Sequence, residues 1–155
     1  MQISTLTADY QLSAIELIKQ FIFGGKSTFT LSNKEKGTHY TYKVTCKKQP
    51  GRVVYFVSVL SGPDNTSDYS YIGYCTSSEA VQIWTKKDAR QYTDNAPSVK
   101  AFNWLLNRVA YCVAENKPFP AFAGFYHMGS CCKCNRPLTD PLSVTLGIGP
   151  VCRAA

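Results

Sequence analysis

Apolar positions recur along this chain in two rhythms, and the change between them marks out its elements. Over Thr7–Phe23 the spacing is helical. Ile15, Leu17, Ile18, Phe21 and Ile22 make one broad face, while Glu16, Lys19 and Gln20 take the other. The pattern predicts a first helix, capped by Thr7 or Asp9 and stopped by Gly24-Gly25. The rhythm then shortens to two. Ser27–Leu31 reads as a strand and the polar cluster Ser32–Gly37 as a turn. Thr38–Lys47 alternates, with Tyr40, Tyr42, Val44 and Cys46 on one side and Thr41, Lys43, Thr45 and Lys47 on the other. After the turn Gln49-Pro50-Gly51, Arg52–Leu60 is nearly continuous in apolar residues and suits a mid-sheet strand. Tyr69–Cys75 and Ala80–Thr85 complete the strand candidates.

Helical spacing returns at Ser98–Val113, where Val99, Phe102, Leu105, Leu106, Val109 and Val113 share a face and Ser98 is placed to cap. Phe119-Pro120-Ala121-Phe122 reads as a stiff linker. The expected architecture is α+β: an antiparallel sheet of four or five strands flanked by two helices, followed by a small C-terminal knuckle of treble-clef or ribbon type. The expected division is residues 1–117 for the α+β domain and 118–155 for the linker and knuckle. No apolar run approaches the ~20 residues that a membrane-spanning helix needs. Met1–Asp9 lacks the basic start and apolar centre of a signal peptide, which predicts a cytoplasmic protein with no membrane partner.

Composition sharpens this picture in two places. The 155 residues are 45% hydrophobic, which excludes wholesale disorder. The formal charge is +7, and it is unevenly spread. Lys34, Lys36, Lys43, Lys47, Lys48 and Arg52 fall within one stretch that holds a single acid, Glu35. A basic stretch beside Tyr40, Tyr42, Tyr55, Tyr69, Tyr71 and Tyr74 can neutralise phosphates and stack bases, so these six cations are the candidate nucleic-acid contacts.

The cysteines are the second place. There are seven, and Cys131, Cys132, Cys134 and Cys152 cluster near the end, as metal ligands do in a reducing compartment. Cys46, Cys75 and Cys112 sit singly in apolar patterns and read as buried thiols. Cys131 and Cys134 form a Cys-x2-Cys pair, whose thiolates reach one ion from a single tight turn, and Cys152 returns from a distant point. Zinc takes four Cys or His ligands in a tetrahedron. His127 is the favoured fourth ligand, Cys132 its competitor, and an open position holding water the remaining alternative. Gly147 and Gly149 allow close backbone approach, Pro150 opens a helical turn bearing Cys152, and Asn135 suits the positive φ expected after the second knuckle cysteine. So short a tail cannot bury enough surface to stand alone, so metal binding would be folding energy for it.

At these residues the chain resembles an uncharacterised zinc-knuckle domain family common in bacteriophage and prophage proteins. Its members carry Cys-x2-Cys-x-Arg-x-Leu-Thr-x-Pro-x-Ser and then Gly-Ile-Gly-Pro-x-Cys. Here that reads Cys131, Cys134, Arg136, Leu138-Thr139, Pro141, Ser143 and Gly147 to Cys152. Many members place a His before the first cysteine, as His127 stands here. Upstream, Val57–Asn65 and Asp68-Tyr69 are similar to a segment of such phage proteins. Asn135 departs from the usual glycine. The resemblance implies structural zinc and a phage origin, and no activity.

Two histidines, and no nucleophile–base pattern, point away from an enzyme. The function expected is that of a small phage-type zinc-binding accessory protein, non-enzymatic, contacting nucleic acid or a nucleic-acid-handling complex. The alternative is a protein-binding effector that inhibits a host machine, such as a CRISPR-type defence nuclease or a polymerase, through Gly62–Asp68 or Phe119–Phe125. The sequence leaves the oligomeric state open.

Overall fold

The computed structural model describes residues 10–64, 67–85 and 91–154. The period-two segments become a meander: β1 (Lys26–Asn33), β2 (Thr38–Gln49), β3 (Arg52–Leu60) and β4 (Tyr69–Cys75). The chain then crosses α2 (Pro97–Glu115) and returns as β5 (Ala123–His127) along the free side of β1. The result is a five-stranded antiparallel sheet in the order β4-β3-β2-β1-β5. Helix α1 (Ile15–Ile22) and α2 cover one face, and two short helices, α3 (Pro141–Leu146) and α4 (Pro150–Ala154), follow β5.

Register decides which side chains meet the helices. Phe29 pairs with Tyr42, and Tyr42 with Val59. This column faces α2, whose Phe102 lies 5.0 Å from the Tyr42 ring and 6.4 Å from that of Phe29. Phe21 of α1 packs edge-on against Phe29 and Phe125. Burying a large aromatic is worth roughly 1.5–3 kcal/mol, so this cluster is the energetic centre of the molecule. Tyr42 is buried and donates its hydroxyl to the Ser98 carbonyl at 2.7 Å. Burial, with a smaller push from Tyr40, raises its phenol pKa well above the ordinary value. The folded state therefore keeps this proton where the unfolded chain gives it up, near pH 10. Stability is expected to fall as pH rises above about 10. Tyr42→Phe is expected to flatten that alkaline limb and to cost about 1 kcal/mol at neutral pH, measured by urea unfolding at pH 7 and 10.5.

Several local expectations change. The caps Thr7 and Asp9 lie outside the described residues. Helix α1 starts only at Ile15, because Leu12 is held extended, its N–H donating to Phe125 O at 2.8 Å. Helix α2 opens with Pro97 in its first turn and no side-chain cap, so Ser98 is an interior residue rather than the cap. Its Val113 is exposed and Cys112 takes the buried position instead. Ala80–Thr85 is not a strand: Trp84 makes one isolated bridge to Tyr74. The fifth strand lies after the linker, in Ala123–His127. The expected division at 117/118 therefore cuts through shared structure. β5 is an edge of the same sheet, and Cys131, Cys132, Leu138 and Ile148 belong to the same buried cluster as Phe21 and Phe29. No helix among the described residues is long and apolar enough to cross a membrane.

Candidate metal centre

The tail builds its thiol cluster in two steps. After β5 the chain turns into a narrow hairpin. Leu138 N–H donates to Gly129 O at 2.8 Å, Cys131 N–H to Arg136 O at 2.9 Å, and Asn135 N–H to Cys131 O at 2.9 Å. Closing so tight a loop puts Asn135 at φ 63°, the positive value expected there. Asp140 then caps α3 by accepting the Ser143 N–H at 3.0 Å, and Pro141 occupies the first turn. Gly147 ends α3 in the left-handed conformation, and Pro150 starts α4 with Cys152 in its first turn.

These steps bring Cys131, Cys134 and Cys152 together, with their sulfurs within 4.8 Å of one another. A tetrahedral zinc with Zn–S near 2.3 Å sets sulfurs about 3.8 Å apart, so small side-chain adjustments suffice. Cys131 shows why the site suits a cation. Burial pushes its thiol pKa up, but the N–H groups of Gly149, Cys134 and Lys133 outweigh this and bring it down to about 7. Two of these contacts are Gly149 N–H at 3.4 Å and Lys133 N–H at 3.5 Å from its sulfur. They stabilise a thiolate, the form that binds metal. Cys152, which shares hydrogen bonds with Cys134 and Cys131 and is partly desolvated, is pushed up to about 11.

The expected fourth ligand does not join them. His127 lies on β5 with both ring nitrogens engaged: Nε2 is 2.7 Å from Val144 O, and Nδ1 accepts the Gly129 N–H at 2.9 Å. That pattern requires Nε2 to carry the proton. Its ring stacks between Tyr10 at 4.9 Å and Phe21 at 5.6 Å, and burial holds its pKa below the ordinary value despite the carbonyl bond. Here His127 is a core residue that ties β5 to α3. Its place on the inward face of a strand was hidden because the strand itself was not expected. Cys132 does not join either. It is buried beside Gly24, its N–H donates to Gly147 O, and its own carbonyl accepts the Lys26 N–H at 2.8 Å. Burial and the neighbouring Cys131 push its thiol up to about 12. Of the solitary cysteines, Cys75 and Cys112 are buried and Cys46 is half-buried.

The six candidate cations are divided by the sheet. Lys34 and Lys36 sit in the β1–β2 turn, Lys43, Lys47 and Arg52 project from the face away from α1 and α2, and Lys48 alternates to the opposite side. The tyrosines divide too. Tyr40, Tyr42 and Tyr55 lie on the helix-covered side, whereas Tyr69, Tyr71 and Tyr74 share the other face with Phe56. Phe56 went unremarked in the sequence, although its place between Tyr55 and Val57 in β3 is the signal that puts it on the other face of the sheet from them.

No curated protein and no solved structure matches the chain. What it is similar to, over residues 121–155 and so over β5, the cysteine hairpin and the returning helix, is a family of unknown function, DUF6011.

Proposed function

We propose that this is a small zinc-binding accessory protein of phage type, without catalytic activity. In this reading zinc on Cys131, Cys134 and Cys152 holds the tail against the sheet, and the sheet face turned away from α1 and α2 contacts single-stranded nucleic acid. The observation that carries the second half is the interleaving of cations and rings on that face. The Lys43 ammonium lies 4.1 Å above the Tyr69 ring, the Lys47 ammonium 6.0 Å from the Phe56 ring, and Phe56 is 6.2 Å from Tyr71. Tyr71 is 44% exposed, and Trp84, bridged to Tyr74 at the edge, is 62% exposed. Exposed rings stack bases at about 1–3 kcal/mol each, and neighbouring lysines neutralise phosphates. Burial, and for Tyr71 the neighbouring Tyr74, raises the phenol pKa of Tyr69 and Tyr71, so both rings stay neutral beside a phosphate.

Anisotropy titration of a labelled oligothymidylate tests this. Binding is expected at low salt, with log K falling linearly in log salt concentration. Lys47→Glu should weaken it several-fold and lower the salt slope, and Tyr71→Ala should weaken it about tenfold, or about 1–2 kcal/mol. Absence of binding at micromolar protein in low salt would refute the nucleic-acid reading and leave the protein-binding effector in its place.

A further inference from the structure

We infer that a metal held by Cys131, Cys134 and Cys152 takes its fourth ligand from outside the chain, as a thiolate entering from the surface cavity beside Cys152. The inference rests on the metal reading above and adds to it the nature of the open position. Both histidines and all seven cysteines fall within the described residues. His127 has both nitrogens in hydrogen bonds. His39 pairs with Ser32, at the opposite end of β1 from Lys26, where the hairpin is tied on. The Cys132 sulfur rests against Gly24, at 2.6 Å from where a side-chain carbon on that residue would stand. Among the described residues no carboxylate joins the trio. A tetrahedral ion bound there has one position that none of the described residues fills.

Cys152, alone of the three, also lines a cavity of about 600 Å³, together with Cys132, Lys133, Arg153, Lys19 and Glu16 among others. Two of its three bases are already engaged. Lys19 pairs with Glu79 at 2.7 Å, and Arg153 donates to Ser143 Oγ and Ile148 O, both at 2.9 Å. Lys133 is exposed. The basic lining matters because an ion of charge +2 with three thiolates already carries a net −1. A fourth anionic ligand makes that −2, and nearby cations offset it. Three soft sulfurs favour a metal that also prefers a soft fourth donor. In the step itself the incoming thiol releases its proton to solvent, its sulfur forms the bond to the metal, and a bound water leaves. No electron is transferred.

Zinc-edge X-ray absorption on the full chain, purified with a non-thiol reductant, tests this. The expected spectrum shows three sulfurs at about 2.3 Å and one light atom without the outer shells of an imidazole. On adding 2-mercaptoethanol, or a cysteine-containing peptide, it is expected to become four sulfurs. A response to 2-mercaptoethanol identifies a small thiol as sufficient; a response to the peptide alone identifies a protein cysteine. Four sulfurs before any addition would mean that Cys132 closes the site, and an imidazole shell that His127 does; either overturns the inference, as does a spectrum that neither thiol alters. In each of those cases metal is still bound, so the metal reading survives. A chain that binds no zinc overturns both. His127→Gln is expected to keep one equivalent of metal and the visible spectrum of the cobalt-substituted protein. If that variant fails to fold, the wild-type spectrum still decides.

Discussion

Stripping the metal with a chelator is expected to lower the thermal midpoint of the whole sheet rather than to loosen the tail alone. The reason is where the ligands sit. Cys131 is 1% exposed and belongs to the same core as Phe21, Ile22 and Phe29. The hairpin is hydrogen-bonded to the start of β1 through Lys26, and His127 links β5 to α3. Binding free energies of structural zinc sites run to about 10–16 kcal/mol, while a whole domain is stable by only about 5–15 kcal/mol. Even partial transfer of the first into the second is decisive, so the metal-free chain is expected to lose several kcal/mol. Cys134→Ser should do the same in the presence of zinc, because it leaves two of the three thiols. Circular dichroism melts with chelator, and again after zinc is returned, measure this. Release should steepen as pH falls below about 7, where the Cys131 thiolate takes up its proton. A melt that chelator leaves unmoved would end the case for a structural ion.

Gly147→Ala is expected to destabilise the protein strongly, although it changes no thiol. Two independent costs meet there. Its φ is 74°, the left-handed region, which costs a residue with a side chain about 1–2 kcal/mol. The added carbon would also lie 2.7 Å from Phe21 Cδ2 and 3.0 Å from Cε2. Phe21 cannot swing away, since its ring is packed against Phe29, Phe125 and His127. Overpacking of that kind costs about 1–3 kcal/mol, for a total of about 2–5 kcal/mol. Gly51→Ala separates the two terms. It has the same hand, φ 77°, but nothing within 4 Å, and so should pay the backbone cost only. Urea midpoints of the two variants give the difference. Equal losses would show that Phe21 yields, and would remove the packing part of the argument.

The same contact explains why the tail is not a separable module. Gly147 stands against α1, Gly24 against Cys132, and β5 against β1. Each junction joins residues about a hundred positions apart in the chain. The expected boundary at 117/118 came from reading Phe119-Pro120-Ala121-Phe122 as a stiff linker. It missed that the five residues just after that linker, Ala-Gly-Phe-Tyr-His, complete the sheet.

The meander β1 to β4 was legible before any coordinates, because alternation along Thr38–Lys47 and the turns around Gly37 and Gly51 are local properties of the backbone. So was α2, whose apolar spacing needs no partner to be recognised. The pairing of Cys131 and Cys134 with Cys152 was legible too, since a two-residue gap and a Gly-Ile-Gly-Pro return are written in consecutive residues. β5 was not, because five residues between prolines and a cysteine turn are too short to display a period, and it becomes a strand only by pairing with β1. The fate of His127 was likewise beyond the sequence. An imidazole four positions from a cysteine can fold toward the metal or into a core, and the choice depends on the Val144 carbonyl and the Gly129 N–H that the folded chain sets against its two nitrogens. Period and spacing are properties of neighbours along the chain. Which donor meets which acceptor depends on segments brought together only by burial of the common core.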